Sequence, residues 1–161
     1  MSDVEPTPRA KVLTVSDGVA HGVRDDRSGR TLVEHLEAAG FEVVDHRVTA
    51  DGAEAVATVL VDMTAGFAGL VVSTGGTGFA PRDQTPEGTR AVVERDAPGL
   101  AEAMRLCNPL GRLSRGVGGI RGRSIIINTP GSTNGCVEQL DAVIDVLPHA
   151  LRLLADTDTT H

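Results

Sequence analysis

The chain of 161 residues predicts a single-domain, three-layer α/β fold: a doubly wound, mostly parallel sheet with helices on both faces. Three observations predict it. Short β-branched runs alternate with helical patterns along the chain. The run from Leu70 to Ser73 is apolar without alternation, as in a central strand covered on both sides. Glycine- or serine-rich segments follow three of the runs, where the loops of such a sheet converge on a ligand crevice.

Taken in order, "KVLTVS" from Lys11 to Ser16 is the first strand, and "SGRTLVEHLEAAG" places Leu32, Val33, Leu36 and Ala39 on one helical face. Ser28 is expected to cap that helix and Gly40 to end it. "FEVVDHRV" alternates as a strand. Asp51, with Glu54 three residues on, resembles a capping box opening "GAEAVATVLVDMTA", which Gly66 closes. After the central strand, Thr85, Pro86 and Glu87 predict an N-cap, a first-position proline and a first-turn acid. "PGLAEAMRLCN" predicts a further helix and "RSIIINT" a further buried strand. "GCVEQLDAVIDVLPHALRLLAD" predicts a terminal helical segment that Pro148 interrupts or restarts. The expected domain spans 11–156, between a flexible segment 1–10 and a tail 157–161. A chain of this length buries a sizeable core without disulfides.

Composition narrows the function. With three Phe and no Trp or Tyr, platforms for stacking bases are missing, and a formal charge of -7 opposes a phosphate backbone as ligand; no nucleic acid is expected. Cys107 and Cys136 form neither a CxxC pair nor a metal spacing, and both are expected to be reduced and packed. The five histidines show no HxxxH or HExxH spacing, so no zinc is expected, and no GxSxG elbow is present. "MSDVEPTPRA" has no apolar h-region and no run is long enough to span a bilayer, which predicts a cytoplasmic protein without a membrane partner.

The candidate chemistry lies at the strand ends. In "STGGTG", Gly75, Gly76 and Gly78 let backbone N–H groups turn toward a common centre, an anion-binding concavity; the plain alternative is a tight turn. Arg82 can hold a phosphate and Asp83 a hydrated Mg²⁺, or Asp83 caps the loop or pairs with Arg82. "NTPGSTNG" offers Gly131, the Ser132 hydroxyl and a helix start at Gly135 or Cys136, or else a proline-glycine turn. "SDGVAHGVRDDRSG" gathers Asp17, Asp25, Asp26 and Ser28 near a helix start, the usual makeup of a solvated, capped loop. "LSRGVGGIRGR" adds Ser114, Arg115, Arg121 and Arg123, either a local positive field or a solvated turn. Their coincidence at one sheet edge favours a phosphate-bearing ligand.

At "STGGTGFAPRDQTPEGT" the chain resembles the MogA/MoaB family of molybdenum-cofactor biosynthesis proteins, whose signature is a TGGTG loop followed by RD-x-TPE. Supporting segments are "TVSD" from Thr14, Gly22-x-x-x-Asp26-x-Ser28-Gly29, "VTADG", "PGLAEAMR", "LSRGVGGIRG" and "NTPGS". The resemblance implies a molybdopterin-binding fold, a homotrimer or hexamer, and transfer of AMP from ATP to molybdopterin with Mg²⁺, followed by hand-over to a molybdenum-insertion protein. It implies Asp51 and Asp83 as the catalytic carboxylates, with Mg²⁺ on Asp83 and Asp51 assisting. By the same resemblance Gly75, Gly76, Thr77 and Gly78 cradle phosphate, Gly131 and Ser132 hold the pterin, and Arg115 lends charge. Ser16, Asp17, Ser28, Gly29, Thr74, Arg82, Ser114 and Pro130 complete the implied substrate site. The alternative within the resemblance is a non-catalytic molybdopterin-binding or carrier protein of the MoaB type. The chain departs from the pattern at Thr133-Asn134, where many relatives have Pro-Lys, at Gln84, where an apolar residue is commoner, and at Gly88.

Overall fold

A computed structural model describes residues 4–155. Strands β1 (Arg9–Val15), β2 (Glu42–Thr49), β3 (Gly69–Thr74), β4 (Arg95–Asp96), β5 (Gly118–Arg121) and β6 (Ser124–Thr129) form one sheet in the order β2-β1-β3-β6-β5-β4. The first four strands of that order are parallel, and β5 runs antiparallel to both β6 and β4. The mostly parallel, doubly wound expectation holds, with an antiparallel edge added. Arg9 and Ala10, assigned above to the leading segment, are the first rungs of β1; the expected tail 157–161 lies outside the described residues.

Helices α1 (Asp17–Ala20), α2 (Arg27–Ala38), α3 (Ala53–Thr64), α4 (Thr85–Val92) and α5 (Pro98–Leu106) connect the strands, and α6 (Thr133–Asp141) and α7 (Leu147–Leu154) follow the last of them. The period-two pleat decides which layer each strand residue joins. Val12, Val72 and Ile127 face α2, α5, α6 and α7 through Leu32, Leu36, Met104, Leu140 and Leu147. Leu13, Val71 and Ile126 face α3 and α4 through Val56, Leu60, Met63 and Val92. Every residue of β3 and β6 is buried, which is why their sequences show no alternation. Pro148 lies in the first turn of α7, so it restarts the terminal helix.

Several local expectations change. Asp26, not Ser28, caps α2, because its carboxylate accepts the Gly29 N–H at 3.0 Å while Ser28 lies inside the first turn. Asp51 does not cap α3; Gly52 occupies that position, and the Ala53 N–H donates to Gln84 Oε1 at 3.1 Å. The polar Gln84 therefore secures the start of α3 from another loop. Thr85 caps nothing either: its buried hydroxyl donates to the Gly75 carbonyl at 2.9 Å. Helix α6 starts at Thr133 rather than Gly135 or Cys136, with Ser132 accepting the Gly135 N–H at 3.0 Å. Cys136 is buried as expected, but Cys107 is exposed.

Candidate functional site: two clefts with a common wall

The carboxyl ends of β1, β3 and β6 deliver three loops to one edge of the sheet. The glycine loop after β3 is shaped by backbone rather than side chains. Gly75 has φ 101°, and a Cβ there would run into the Val15 carbonyl oxygen. Thr74 and Thr85 pin this loop: Thr74 donates to the Pro130 carbonyl at 2.9 Å, and the Thr85 N–H donates to the Gly76 carbonyl at 3.1 Å. The Gly75 N–H donates to the Thr129 carbonyl at 3.0 Å, and Gly131 packs alongside, a Cβ on it falling at ordinary contact distance, 3.4 Å, from Gly75 Cα. The β3 and β6 loops thus form one continuous partition.

A cleft opens on each side of that partition. The first, about 570 Å³, is lined by Ser16, Ser28, Asp51, Thr74, Gly75, Gly76, Asp83, Gly131 and Ser132, together with Arg24, Asp25, Asp26, Arg27 and Thr133. The second, about 580 Å³, is lined by Gly76, Thr77, Gly78, Asp83, Ser114, Pro130, Gly131 and Ser132, together with Cys107, Asn108, Leu110, Leu113, Asn134, Glu138 and Gln139. Gly76, Asp83, Gly131 and Ser132 line both.

Four of the expected site residues line neither cleft: Asp17, Gly29, Arg82 and Arg115. Gly29 packs α2 against Thr14, His46 and Asp26, leaving no room for a Cβ. Arg82 is spent on Asp17, donating through Nε at 2.6 Å and Nη2 at 3.0 Å. That guanidinium holds the Asp17 carboxyl below the usual carboxylate range. Arg115 donates to the Gly78 carbonyl at 2.9 Å, to the Asp83 carbonyl at 2.6 Å and to Glu87 at 2.7 Å. It lowers the Glu87 carboxyl and rises itself in return. Arg115 is therefore a clasp across the Gly78–Asp83 loop, not a free cation. Arg121 and Arg123 add no field here, because the β5–β6 turn lies at the opposite end of the sheet, beside Gly69.

The cations that do face a cleft are Arg24 and Arg27, with the Arg27 side chain 80% exposed. Neither is among the expected site residues; the sequence signal is that Arg24 lies in the loop just before α2 and Arg27 opens that helix. The residues of the 3-10 turn Pro109–Leu113 gave no such signal, since only the fold brings them to the second cleft.

The two carboxylates at the partition differ in their partners. Asp51 Oδ2 accepts the Asp17 N–H at 2.9 Å, and Asp83 Oδ2 accepts the Ala80 N–H at 3.1 Å. Among the described residues, neither Oδ1 accepts a hydrogen bond. Asp51 Oδ1 would lie 3.3 Å from a Cβ on Gly76, so it faces the glycine loop. Two carboxylate oxygens beside the glycine loop, without protein donors among the described residues, are hard donors of the kind Mg²⁺ takes.

A model of the probable molybdopterin binding domain family matches residues 11–149. The chain belongs to this family. Relatives include the molybdopterin adenylyltransferase of Helicobacter pylori strain J99, 37% identical over 150 residues that cover 89% of this chain and 85% of that protein. The enzyme of the same name from Escherichia coli K12 is 36% identical over 86% of this chain and 75% of its own length. Among solved structures, the molybdopterin biosynthesis enzyme MoaB of Thermus thermophilus superposes with a TM-score of 0.85 at 44% identity, covering 92% of this chain and 97% of that one. The Mog protein of Mycobacterium ulcerans gives 0.84 at 39% identity, covering 91% and 99%. No helix among the described residues is long and apolar enough to cross a membrane.

Proposed function

We propose that this protein is a molybdopterin adenylyltransferase of molybdenum cofactor biosynthesis, a nucleotidyltransferase that joins AMP from ATP to the terminal phosphate of molybdopterin and releases pyrophosphate. The observation that carries the reading is the pair of clefts divided by Gly76, Asp83, Gly131 and Ser132. Two phosphorylated substrates seated on opposite sides of one thin glycine partition bring their phosphates together at its edge. The relatives named for this activity support the same reading.

The residues divide the substrates by chemistry. Arg24 and Arg27 give the first cleft guanidinium donors for a triphosphate, beside the carboxylates of Asp25, Asp26, Asp51 and Asp83. The amides of Asn108, Asn134 and Gln139, the Glu138 carboxylate and the Leu110 and Leu113 side chains give the second the donors, acceptors and apolar surface that a pterin ring needs. An oxygen of the ionised molybdopterin phosphate attacks the α-phosphorus of ATP; the bond from that phosphorus to the bridging oxygen breaks, and pyrophosphate leaves with the electron pair. The nucleophile arrives deprotonated, so the site needs no general base and works by positioning and charge neutralisation. The Gly75 N–H donates to the Thr129 carbonyl at 3.0 Å, so in this reading the N–H groups of Gly76, Thr77 and Gly78 meet the reacting phosphates, and Ser132 and Gly131 hold the pterin phosphate on the opposite loop. Asp83, with Asp51, would hold the Mg²⁺, which when bound neutralises phosphate charge.

The remaining parts of the proposal are a homotrimeric or hexameric assembly, a cytoplasmic location and hand-over of the adenylylated pterin to a molybdenum-insertion protein. The test is anaerobic incubation with molybdopterin and Mg-ATP, reading adenylylated pterin and pyrophosphate. Wild type should form both. Asp83→Asn should form neither while retaining pterin binding, and tight pterin binding by the wild type without product would replace the enzyme with a carrier.

A further inference from the structure

Asp17 sits at the centre of a lacing that joins three loops. It is the first residue of α1, directly after Ser16, whose hydroxyl accepts the Val19 N–H at 3.3 Å. Its backbone N–H donates to Asp51 Oδ2 at 2.9 Å, and its own Oδ1 accepts the Asp51 N–H at 3.1 Å. The two aspartates thus hold each other reciprocally, one from the loop after β1 and one from the loop after β2. From the loop after β3, Arg82 donates two hydrogen bonds to the Asp17 carboxylate and a third to the Asp51 carbonyl at 3.1 Å. Arg82 is covalently next to Asp83. Both acids at the partition are therefore referenced to one carboxylate that lines neither cleft.

We propose that Asp17 is a positioning residue for the transfer reaction: through Asp51 and Arg82 it fixes the relative placement of the Asp51 and Asp83 carboxylates and contacts neither substrate. This assignment rests on the adenylyltransferase reading. The geometry favours it over a ligand contact, because both Asp17 oxygens already accept hydrogen bonds and a negative side chain adds repulsion beside phosphate. Arg82, in turn, tethers the Asp83 loop and leaves phosphate binding to the first cleft's own arginines.

The test compares wild type, Asp17→Ala, Asp17→Asn, Asp51→Ala and the Asp17→Ala/Asp51→Ala double variant in the adenylyl-transfer assay. Molybdopterin and ATP affinities are measured separately by equilibrium binding. Asp17→Ala should lower kcat at least ten-fold, leave both affinities within two-fold, and raise the Mg²⁺ concentration needed for half-maximal rate. Asp17→Asn, which keeps an acceptor for the Asp51 N–H but loses the ion pair, should fall between. The double variant should lose less than the product of the two single losses, because the part of the Asp17 effect that runs through the Asp51 carboxylate is already gone while the Arg82 branch remains. Losses that multiply, or a fall in ligand affinity at constant kcat, would overturn the assignment. Arg82→Gln cuts the same lacing at an exposed side chain and should reproduce the kcat loss even where Asp17→Ala folds poorly; normal turnover by a folded Arg82→Gln protein overturns it as well. An inactive wild type would count against the transferase reading instead. The inference is then decided by crystal structures of wild type and a folded Asp17 or Arg82 variant: a displaced Asp51 or Asp83 carboxylate supports it, and unmoved carboxylates overturn it.

Discussion

Replacing Arg115 by alanine separates a clasp from a ligand-binding cation. The guanidinium donates to the carbonyls of Gly78 and Asp83, the two ends of the loop that carries Asp83, and forms a forked pair with Glu87. A hydrogen bond to a charged group contributes roughly 1.5–3 kcal/mol when buried. The Arg115 side chain is 34% exposed, so solvent screening reduces each to about 0.5–0.75 kcal/mol, and the loss of all four amounts to roughly 2–3 kcal/mol. For a domain of this size that lowers Tm by about 5–10 °C. Arg115→Lys keeps the charge but not the planar fork, so it should recover only part of the loss. The assay pairs thermal unfolding by circular dichroism with adenylyl transfer at saturating substrates. The expected result is a lower Tm and a lower kcat with pterin affinity unchanged. An unchanged Tm together with a ten-fold weaker phosphorylated ligand would refute the clasp and return Arg115 to the binding site.

Three further outcomes follow from the same contacts. Asn128 is 1% exposed, accepts the Val117 N–H at 3.0 Å and donates to Ser73 and Thr89, so Asn128→Leu should cost about 2–4 kcal/mol in urea unfolding by stranding those groups. A thiol reagent should modify exposed Cys107 in the native protein and reach Cys136, whose thiol burial pushes up to about 11, only on unfolding. Because Cys107 lines the second cleft, molybdopterin should slow its modification. The Glu87 carboxyl is lower in the folded protein, chiefly through its hydrogen bond to Arg115. Its stabilisation is therefore complete above the unfolded value of about 4.3 and is lost as pH falls through the lower folded value. Glu87→Gln should flatten that acid limb in a pH series of Tm.

The layers and the crevice edge were legible because they rest on local rules. Apolar runs in β3 and β6, and the glycines after β3, encode burial and turning within a few residues. The misread residues are those whose local and distant partners compete. Asp51 has the spacing of a helix cap, yet its carboxylate is taken by the Asp17 N–H across 34 residues of chain. Thr85 likewise has the sequence of a cap, but burial draws its hydroxyl to Gly75. Capping rules describe the partners available along the chain, and neither side chain chose one of those. The β4–β5 edge was missed for a different reason: two residues in one strand and two glycines among the four of the other leave no periodicity to read.

The departure at Thr133-Asn134 bears on charge more than on shape. A proline after Ser132 would favour a helix start, and α6 starts there without it, capped by Ser132. A lysine at position 134 would stand one turn before Glu138 and act as a cation at the second cleft. With Asn134 in that place, Glu138 is engaged instead by Asn108, whose amide donates to it at 3.1 Å, and its carboxylate remains a lining acceptor. The first cleft keeps Arg24 and Arg27, while the lining of the second contains no lysine or arginine. The two arginines, set among Asp25, Asp26, Asp51 and Asp83, are thus confined to one side of the glycine partition, and the amides of Asn108, Asn134 and Gln139 lie on the other. Under the proposed function, that distribution would seat the triphosphate against Arg24 and Arg27 and the heterocycle against the amides.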